Sequence, residues 1–487
     1  MQLPTKEDIH NAYINGEETL SQLIEWLVSI IVKQEQIIKE LQDKLSKNSY
    51  NSSKPPSSDG YSKPNRTTSL RQTGKKPNGG QAGHEGHTLK AIDNPDSIEV
   101  HGVEICKQCN TSLENVYANT YEDRQVFDIP VLRIKVTSHR AEIKICPICG
   151  VENKGKFPEK VSQPTQYGNE VKSWASYFTN QHFISVERTG EIFEDLVNHR
   201  VSEGTIVKAS EELSQSISPA IEAVKEQLCN ADVLDVDESG LRVKGKLHWV
   251  HSASTKQATH YEIHGKRGKE GMDEAGILSK FKGKVVHDHW KPYFNYENCS
   301  HALCNAHHLR ELKFIEERYK QSWAKEMTKQ LIEIKDTVEA IQQEAEALTI
   351  GQILEFEKQY DEIVKKGFEA NPVVVTEEKE GEVKKRGRIK QTAPINLLIR
   401  LRDFKAEALA FMYDFRVPFD NNLAERDIRM IKVKQKVSGG FRTDRGARNF
   451  GRIRGYISTV KKNAVNVFQA VREAFCGNPF IPSFVPN

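Results

Sequence analysis

Three carboxylates lie where predicted strands end or a predicted helix begins, and together they could hold metal ions. Asp237 is near the carboxyl end of one predicted strand, and Asp288 directly follows another. Glu425 is the third residue of a predicted helix that has Asn422 as its N-cap. Carboxylates that converge on one point bind Mg²⁺ or Mn²⁺, and two such ions about 4 Å apart activate an attacking hydroxyl and stabilise a leaving oxygen. The three acids therefore indicate chemistry on phosphodiesters.

The residues alone leave an alternative open at each acid. Asp235 shares a face of the period-two strand with Asp237, so either could be the first acid, although Asp237 is nearer the edge where sites gather. Asp288 could instead cap the segment that follows it. Glu425 could instead form a capping pair, or an i,i+4 ion pair with Arg429.

The periodicity around these acids predicts an RNase H-like core. Strand patterns occur at 233–237, 247–252, 259–263, 283–287 and 302–304, with a helix at 271–281. Three strands, a helix and a strand that ends on an acid match the start of such a fold. A long helical segment and an exposed loop at 377–392 would then separate Glu425 from the other two acids. The Arg-Gly-Arg in that loop fits a solvated loop or a minor-groove hook.

Four cysteines have the spacing of a structural zinc site. The two C-x-x-C pairs, Cys106 with Cys109 and Cys146 with Cys149, can place four thiolates on one tetrahedral Zn²⁺. Disulfides or unrelated buried thiols are the alternatives, and an intracellular setting disfavours disulfides. Strand-like alternation at 126–136 predicts that the ion would staple a small β unit.

Positive charge is concentrated in two stretches of a chain whose net charge is only +3. Residues 421–472 contain thirteen Lys or Arg against three acids, and residues 61–90 contain six against one. Such clusters suit binding to phosphate backbones, although a solvated basic surface is the alternative. The predicted DNA-binding residues are Arg426, Arg429, Lys432, Lys434, Lys436 and Arg442.

A heptad pattern near the amino terminus predicts a helix that self-associates. Ile and Leu alternate at steps of four and three from Leu20 to Leu45, with Ile mostly at position a and Leu mostly at position d. This combination favours a parallel two-stranded coiled coil, so a homodimer or higher oligomer is expected. Packing of the helix on its own domain is the alternative. The Gly- and Pro-rich segment that follows is predicted to be a flexible basic tether.

Length and composition fit an α/β multidomain protein. The chain has 487 residues, of which 37% are hydrophobic and 28% charged, and it contains neither a membrane-length apolar run nor a signal-peptide pattern. We therefore expect a cytoplasmic, nucleoid-associated protein that does not bind membranes. Two helices are predicted around 198–200, with Ser202 as an N-cap, and they form either a helix-turn-helix that reads DNA or a plain helical hairpin.

These patterns divide the chain into seven predicted segments. They are a coiled-coil helix at 1–47, a flexible basic linker at 48–92, a zinc-binding unit at 93–160, a helix-turn-helix-like helical region at 161–228, the first part of an RNase H-like core at 229–310, a helical insertion and loop at 311–393, and the second part of the core with basic C-terminal helices at 394–487.

Several segments resemble the large transposase of the insertion sequence 66 family, and the resemblance covers nearly the whole chain. They are NSSKPPSSD at 51–59, GQAGH at 80–84, the four-cysteine unit, VHDHW at 286–290, HALCNAHHLREL at 301–312, VPFDNNLAERDIR at 417–429 and KVSGGFR at 436–442. The family's acidic triad maps onto Asp237, Asp288 and Glu425, which selects Asp237 over Asp235. Cys304 and His307 match a Cys-x-x-His signature of related transposases, and a satisfied helix start is the alternative.

The resemblance implies a function and its partners. The expected reaction is metal-dependent cleavage of double-stranded transposon ends, followed by attack of the 3′-hydroxyls on target DNA, with two Mg²⁺ or Mn²⁺ ions as cofactors beside the structural Zn²⁺. Accessory proteins of the same element are further expected partners. The alternatives are a nuclease of the same fold that cuts without joining, and a catalytically inactive zinc-bearing DNA-binding remnant.

Overall fold

The computed structural model describes residues 4–52, 89–345, 347–372 and 391–483. Most of the predicted linker and most of the predicted loop at 377–392 lie outside the described residues, as does the motif at 80–84. None of the helices in the described residues combines the length and the hydrophobicity of a membrane-spanning segment.

The amino-terminal part is helical, as the heptad pattern predicts. Helix α1 spans Lys6–Ile14 and α2 spans Glu17–Ser46. The carboxyl end of α2 contacts the body of the protein, because Asp43 accepts hydrogen bonds from Arg318 at 3.2 Å and from the Tyr319 hydroxyl. The helix is therefore not isolated from the rest of the fold, although Ile24, Ile31 and most of its other apolar side chains stay exposed. Its self-association remains a prediction.

The cysteine segment contains less strand than its alternation predicts. Strands β1 (Ile143–Ile145) and β2 (Glu152–Lys154) form an antiparallel hairpin around the second cysteine pair. The prediction of a strand at 126–136 is wrong, because this stretch pairs with no other strand in the described residues. Val131, for example, is 95% exposed, so the alternating apolar side chains there cover no surface.

A helical region precedes the main sheet. It comprises α3 (Asn169–Ser176, followed by a π-helical turn at Tyr177–Gln181), α4 (Val186–Val197), α5 (Glu203–Ser216) and α6 (Ser218–Cys229). The break between α4 and α5 is where the sequence predicts it. Asn198 ends α4 in the left-handed conformation, and the Ser202 side chain accepts the Thr205 N–H at the start of α5. DNA reading by these helices remains a prediction.

The main sheet has five strands in the order β5-β4-β3-β6-β7. Strands β3 (Val233–Val243), β4 (Lys246–Ser254) and β5 (Thr259–His264) are antiparallel neighbours, whereas β6 (Lys284–His287) and β7 (Ser300–Leu303) continue from β3 in parallel. Between β5 and β6, helix α7 spans only Lys269–Glu274. The predicted helix at 271–281 is therefore wrong in extent, because Gly276 adopts a φ of +68° that an α-helix does not allow.

Helices cover both faces of this sheet. After β7 the chain forms α8 (Asn305–Tyr319), α9 (Ser322–Ile341), α10 (Ile350–Ala370), α11 (Ala393–Asp403), α12 (Lys405–Ala408) and α13 (Ala410–Tyr413). It ends with α14 (Asn422–Ser438), α15 (Asp444–Lys462) and α16 (Val467–Cys476). Helix α15 lies close against β5, because a Cβ at Gly455 would come within 3.0 Å of the Thr259 carbonyl oxygen. The helical segment between the second and third acids is thus present as predicted.

Candidate active site

The sheet register places two of the three acids side by side. In the parallel pair β3–β6, Asp235 is level with Val286, and the same offset makes Asp237 level with Asp288, the residue that follows β6. Asp237 does not lie near the carboxyl end of its strand as predicted, because β3 continues to Val243. The side chains of Asp237 and Asp235 lie on one face of β3, and Glu238 lies on the other, because side chains alternate along a strand. The structure thus places Asp237 within β3 and Asp288 directly after the neighbouring strand β6.

Helix α14 carries the third acid. The helix begins at Asn422 with Asn421 as its N-cap, one residue earlier than predicted, and no side chain caps it. The predicted N-cap is therefore wrong, and Glu425 is the fourth helical residue. Its nearest charged partner is Arg310 at 3.5 Å, and the imidazole of His307 lies at 3.9 Å, both on α8. No ion pair with Arg429 forms within 4.0 Å in the described residues.

Asn421 fixes the position of α14. Its side chain Nδ2 donates to the Val236 carbonyl at 2.7 Å, and its backbone N–H donates to Cys304 Sγ at 3.1 Å. The residue is 1% exposed, so both bonds are shielded from water. Glu425 follows one turn later, and its own N–H donates to the Asn421 carbonyl. Asn421 thus ties the start of α14 to β3.

The charges of the other two acids act on Asp237. Burial raises the pKa of Asp237 well above its usual range, and the nearby charges of Glu238, Asp288 and Glu425 raise it further. Burial, with a smaller effect of Glu238, raises the pKa of Asp288 to about 6. The pKa of Glu425 is also raised by burial, against the opposing charge of Arg310. Like charges that are buried together need cations to remain ionised, which fits a site for divalent ions.

Asp235 lies in a different electrostatic environment from Asp237. Burial raises its pKa to about 7, and the strongest charges upon it are those of Lys462, Asp420 and Asp427. Asp427 is itself bound to Lys462 at 2.7 Å. The charges of Asp288 and Glu425 thus act on Asp237 more than on Asp235, which supports Asp237 as the first acid.

An ion pair between a buried glutamate and a partly exposed arginine, which sequence reasoning missed, supports the loop after Asp288. Glu238 accepts hydrogen bonds from Arg267 at 2.6 Å and from the Tyr293 hydroxyl at 2.6 Å. The Arg267 guanidinium lies between the rings of Trp249 and Trp290, at 4.7 and 4.4 Å from their centroids. This stack holds Trp290 in place two residues beyond Asp288. The only signal in the sequence is the alternation that points Glu238 away from Asp237.

The predicted DNA-binding residues fall into two groups. Lys434 is 9% exposed, and its Nζ donates to the Gly439 carbonyl at 2.9 Å, so it stabilises the end of α14. Lys432 is partly buried and donates to the Gly240 carbonyl on β3. The remaining four side chains are exposed and can reach a phosphate backbone: Arg426, Arg429, Lys436 and Arg442. Both inward lysines are poor candidates for DNA contacts, because their ammonium groups already have backbone partners.

The two cysteine pairs form turns with similar backbone geometry. The Asn110 N–H donates to the Cys106 carbonyl and the Gly150 N–H to the Cys146 carbonyl, each near 3 Å, and both donors have positive φ. Hydrogen bonds from Thr111 and from Cys106 lower the pKa of Cys109 to about 7, which favours the thiolate that zinc requires. However, no three of the four cysteines place their Sγ atoms within 4.8 Å of one another in the described chain. The two turns fit zinc ligation individually, and their convergence on one ion remains a prediction.

Comparison with known protein families identifies two segments. The model of the transposase IS66 family matches residues 164–449, which is more than half of the chain and includes all three acids. A family of unknown function matches residues 1–90. No curated protein matches the chain.

Replacement of Asn421 is expected to weaken metal binding without unfolding the protein. Asn421→Ala removes the bond to Val236 and leaves α14 less firmly placed, so Glu425 should lose its alignment with Asp237. We expect Mn²⁺ affinity to fall by about 10- to 100-fold, as for other supporting residues of metal sites. Titration of the full chain with Mn²⁺, followed by electron paramagnetic resonance, measures this loss. Asn422→Ala is the matched control, because that exposed side chain bonds only to Asp420. Equal affinities of the two variants would contradict the role of Asn421.

Proposed function

The chain belongs to the transposase IS66 family, and we propose that it cuts DNA at the ends of its element and joins the resulting 3′-hydroxyls to target DNA. The family implies a DNA-processing enzyme that binds DNA. The observation that supports the finer proposal is that Asp237 is buried and that the charges of both Asp288 and Glu425 raise its pKa.

We also propose that the catalytic core is RNase H-like. Three antiparallel strands followed by two parallel ones, in the order β5-β4-β3-β6-β7, support this assignment. The first acid lies on the central strand and the second follows its parallel neighbour. The third returns on α14 after the inserted helices α8 to α13. The resulting core is built from two parts of the chain that are separated by more than a hundred residues.

The three acids would hold the divalent ions that such chemistry requires. Hard carboxylate oxygens suit Mg²⁺ or Mn²⁺, and bound ions would activate the attacking water or 3′-hydroxyl and stabilise the leaving oxygen. The protein's own residues supply the rest of the arrangement. Asn421 and Cys304 align α14, while the Glu238–Arg267 pair supports the Asp288 loop through Trp290. No covalent enzyme intermediate is required for either step.

Exposed basic residues near Glu425 would position the DNA. Arg426 and Arg429 occupy the first two turns of α14, one residue and one turn beyond Glu425. Contacts to phosphates would fix the register of the DNA relative to the acids, without reading its sequence. Self-association through α2 would bring two such sites together, since the apolar side chains of that helix are mostly exposed. Accessory proteins of the element are further proposed partners.

Removal of any of the three acids is expected to abolish DNA cleavage and joining. The assay uses a labelled duplex bearing the element's own ends, with Mg²⁺ or Mn²⁺, and compares Asp237→Ala, Asp288→Ala and Glu425→Ala with the wild type. Loss of several kcal/mol of transition-state stabilisation corresponds to a fall of roughly 10³-fold or more in rate. Asp195→Ala, which alters an exposed carboxylate on α4, is the control and should retain full activity.

The outcomes of this assay separate the proposal from its alternatives. Metal-dependent cleavage and joining, lost only in the three acid variants that still bind DNA, supports the transposase. Cleavage without joining would instead support a nuclease of the same fold. Binding without cleavage by the wild type, even with the accessory proteins added, would support an inactive DNA-binding remnant.

Neutralisation of the exposed arginines on α14 is expected to reduce the salt dependence of DNA binding. Each phosphate contact contributes a slope of about 0.9 in a plot of log affinity against log salt concentration. The Arg426→Ala, Arg429→Ala double variant should therefore flatten that slope by roughly 2, as measured by fluorescence anisotropy across salt concentrations. Lys365→Ala, an exposed charge on α10, should leave the slope unchanged. An unaltered slope in the double variant would argue against phosphate contacts at these positions.

The four cysteines are proposed to hold one structural Zn²⁺. In the Cys106→Ser, Cys146→Ser double variant, the zinc content of the purified chain should fall by one ion per chain, because each pair loses a ligand. Elemental analysis by mass spectrometry measures the loss. Cys476→Ser, which alters an exposed cysteine outside the two pairs, should retain the wild-type content. A wild-type chain that purifies without zinc would exclude the site.

A further inference from the structure

A second group of metal-binding side chains lies beside the third acid. Cys304, His307 and Glu425 place one sulfur, one nitrogen and one oxygen within 4.8 Å of one another, and no other such group of three or more His, Cys, Asp or Glu ligands occurs in the described residues. Cys304 is the N-cap of α8 and His307 is the third residue of that helix. The two side chains therefore project together toward α14, as residues three apart on a helix do.

The imidazole of this group has an unsatisfied nitrogen aimed at the carboxylate. His307 Nδ1 is buried and accepts or donates no hydrogen bond, although it lies 3.9 Å from Glu425 Oε1. Buried polar atoms are nearly always paired, so this unpaired nitrogen is available to bind a ligand. Ligand atoms around a tetrahedral zinc ion are about 3.5 Å apart, given bonds of about 2.0 Å to nitrogen and 2.3 Å to sulfur. Because the three atoms lie within 4.8 Å of one another, binding would require them to move closer by up to about 1.3 Å.

We propose that Cys304, His307 and Glu425 form a distinct site for a thiophilic transition-metal ion such as Zn²⁺, and that occupancy of this site inhibits the enzyme by withdrawing Glu425 from the catalytic acids. A thiolate and an imidazole select softer ions and disfavour Mg²⁺, which prefers oxygen ligands. On binding, the Cys304 thiol releases its proton to solvent and the sulfur coordinates the ion. Three protein ligands leave a fourth position open to water.

The surroundings of the site decide how strongly it binds. Arg310 Nη2 lies 3.5 Å from the same Glu425 oxygen that faces His307, so this cation competes with the ion for the carboxylate. The Asn421 N–H already donates to Cys304 Sγ, and such a bond is compatible with a metal-bound thiolate because it stabilises negative charge on sulfur. The sulfur of Cys304 thus favours binding of the metal ion, whereas Arg310 competes with the ion for the Glu425 carboxylate. This combination suits reversible binding.

The binding test uses Co²⁺ as the probe for the full-length chain. Coordination by a thiolate gives Co²⁺ a sulfur-to-metal charge-transfer band, and the four cysteines of the proposed zinc unit contribute equally to every variant compared. Cys304→Ser should reduce the band relative to the wild type, whereas Cys299→Ser, which alters another buried cysteine outside the group, should not. An unchanged spectrum in Cys304→Ser would overturn the proposal.

A second variant keeps the test decisive if Cys304→Ser fails to fold. His307→Gln retains the thiol but removes the nitrogen ligand, and it should weaken Co²⁺ binding at this site by at least ~10-fold, since even a supporting residue of a metal site contributes that much. Equal Co²⁺ affinity in His307→Gln and wild type would exclude the imidazole as a ligand and overturn the proposed site.

The inhibitory role rests on the proposed function and is tested separately from binding. Each variant is scored by the ratio of its own Mn²⁺-supported cleavage rates with and without added Zn²⁺. The wild type and Cys299→Ser should lose activity with Zn²⁺, and His307→Gln should be at least ~10-fold less sensitive. Equal sensitivity of all variants would overturn the inhibitory role. If no chain cleaves DNA, the proposed function fails, while the Co²⁺ spectra still decide the metal site.

Discussion

The site depends on one buried amide that joins three distant parts of the chain. Asn421 binds the Val236 carbonyl on β3 through its side chain and Cys304, at the end of β7, through its backbone. Strand β3, the start of α8 and the start of α14 are therefore fixed at a single point. Hydrogen bonds shielded from water are costly to leave unmade, so this arrangement tolerates little movement of α14. The position of Glu425 follows from it.

The same geometry imposes an electrostatic cost on the unliganded protein. Burial and mutual repulsion raise the pKa of Asp237 and of its neighbours, so protons or cations must offset the assembled negative charge. Nearby positive charge is unevenly distributed. Arg310 faces Glu425, and Arg267 is committed to Glu238 on the opposite face of β3. Asp237, on which Glu238, Asp288 and Glu425 all act, therefore depends most on bound ions.

Sequence patterns predicted the positions of helices and strands better than their tertiary contacts. Strand patterns located all five strands of the main sheet, and Ser202 located the start of α5, because these signals are local. The failures have non-local or steric causes. A strand at 126–136 requires a partner strand that is not provided, and Gly276 ends α7 early through its positive φ.

For the site, the acid types and their places on the elements were predictable, and the resemblance selected Asp237. The N-cap at Asn421 was not predictable, since its partners lie 185 and 117 residues away. For the same reason, charge counting could not separate the buried Lys434 from the exposed Arg426. The stack of Arg267 between two tryptophans was not predictable either, because no periodic pattern in the sequence indicates these tertiary contacts.

The order in which the parts of the core are synthesised has a consequence for the nascent chain. Strands β3 to β7 emerge from the ribosome first, but the apolar faces that they present are covered partly by α14 and α15, through residues such as Ile428 and Phe450. At ordinary translation rates, the 121 residues from Cys304 to Glu425 take on the order of 10 s to add. During that interval, part of the apolar surface of the sheet is exposed to solvent. Asp237 and Asp288 have been synthesised, but Glu425 has not. A prematurely terminated chain would thus be a substrate for chaperones and proteases. The active site could form only after the carboxyl-terminal part of the chain had been synthesised.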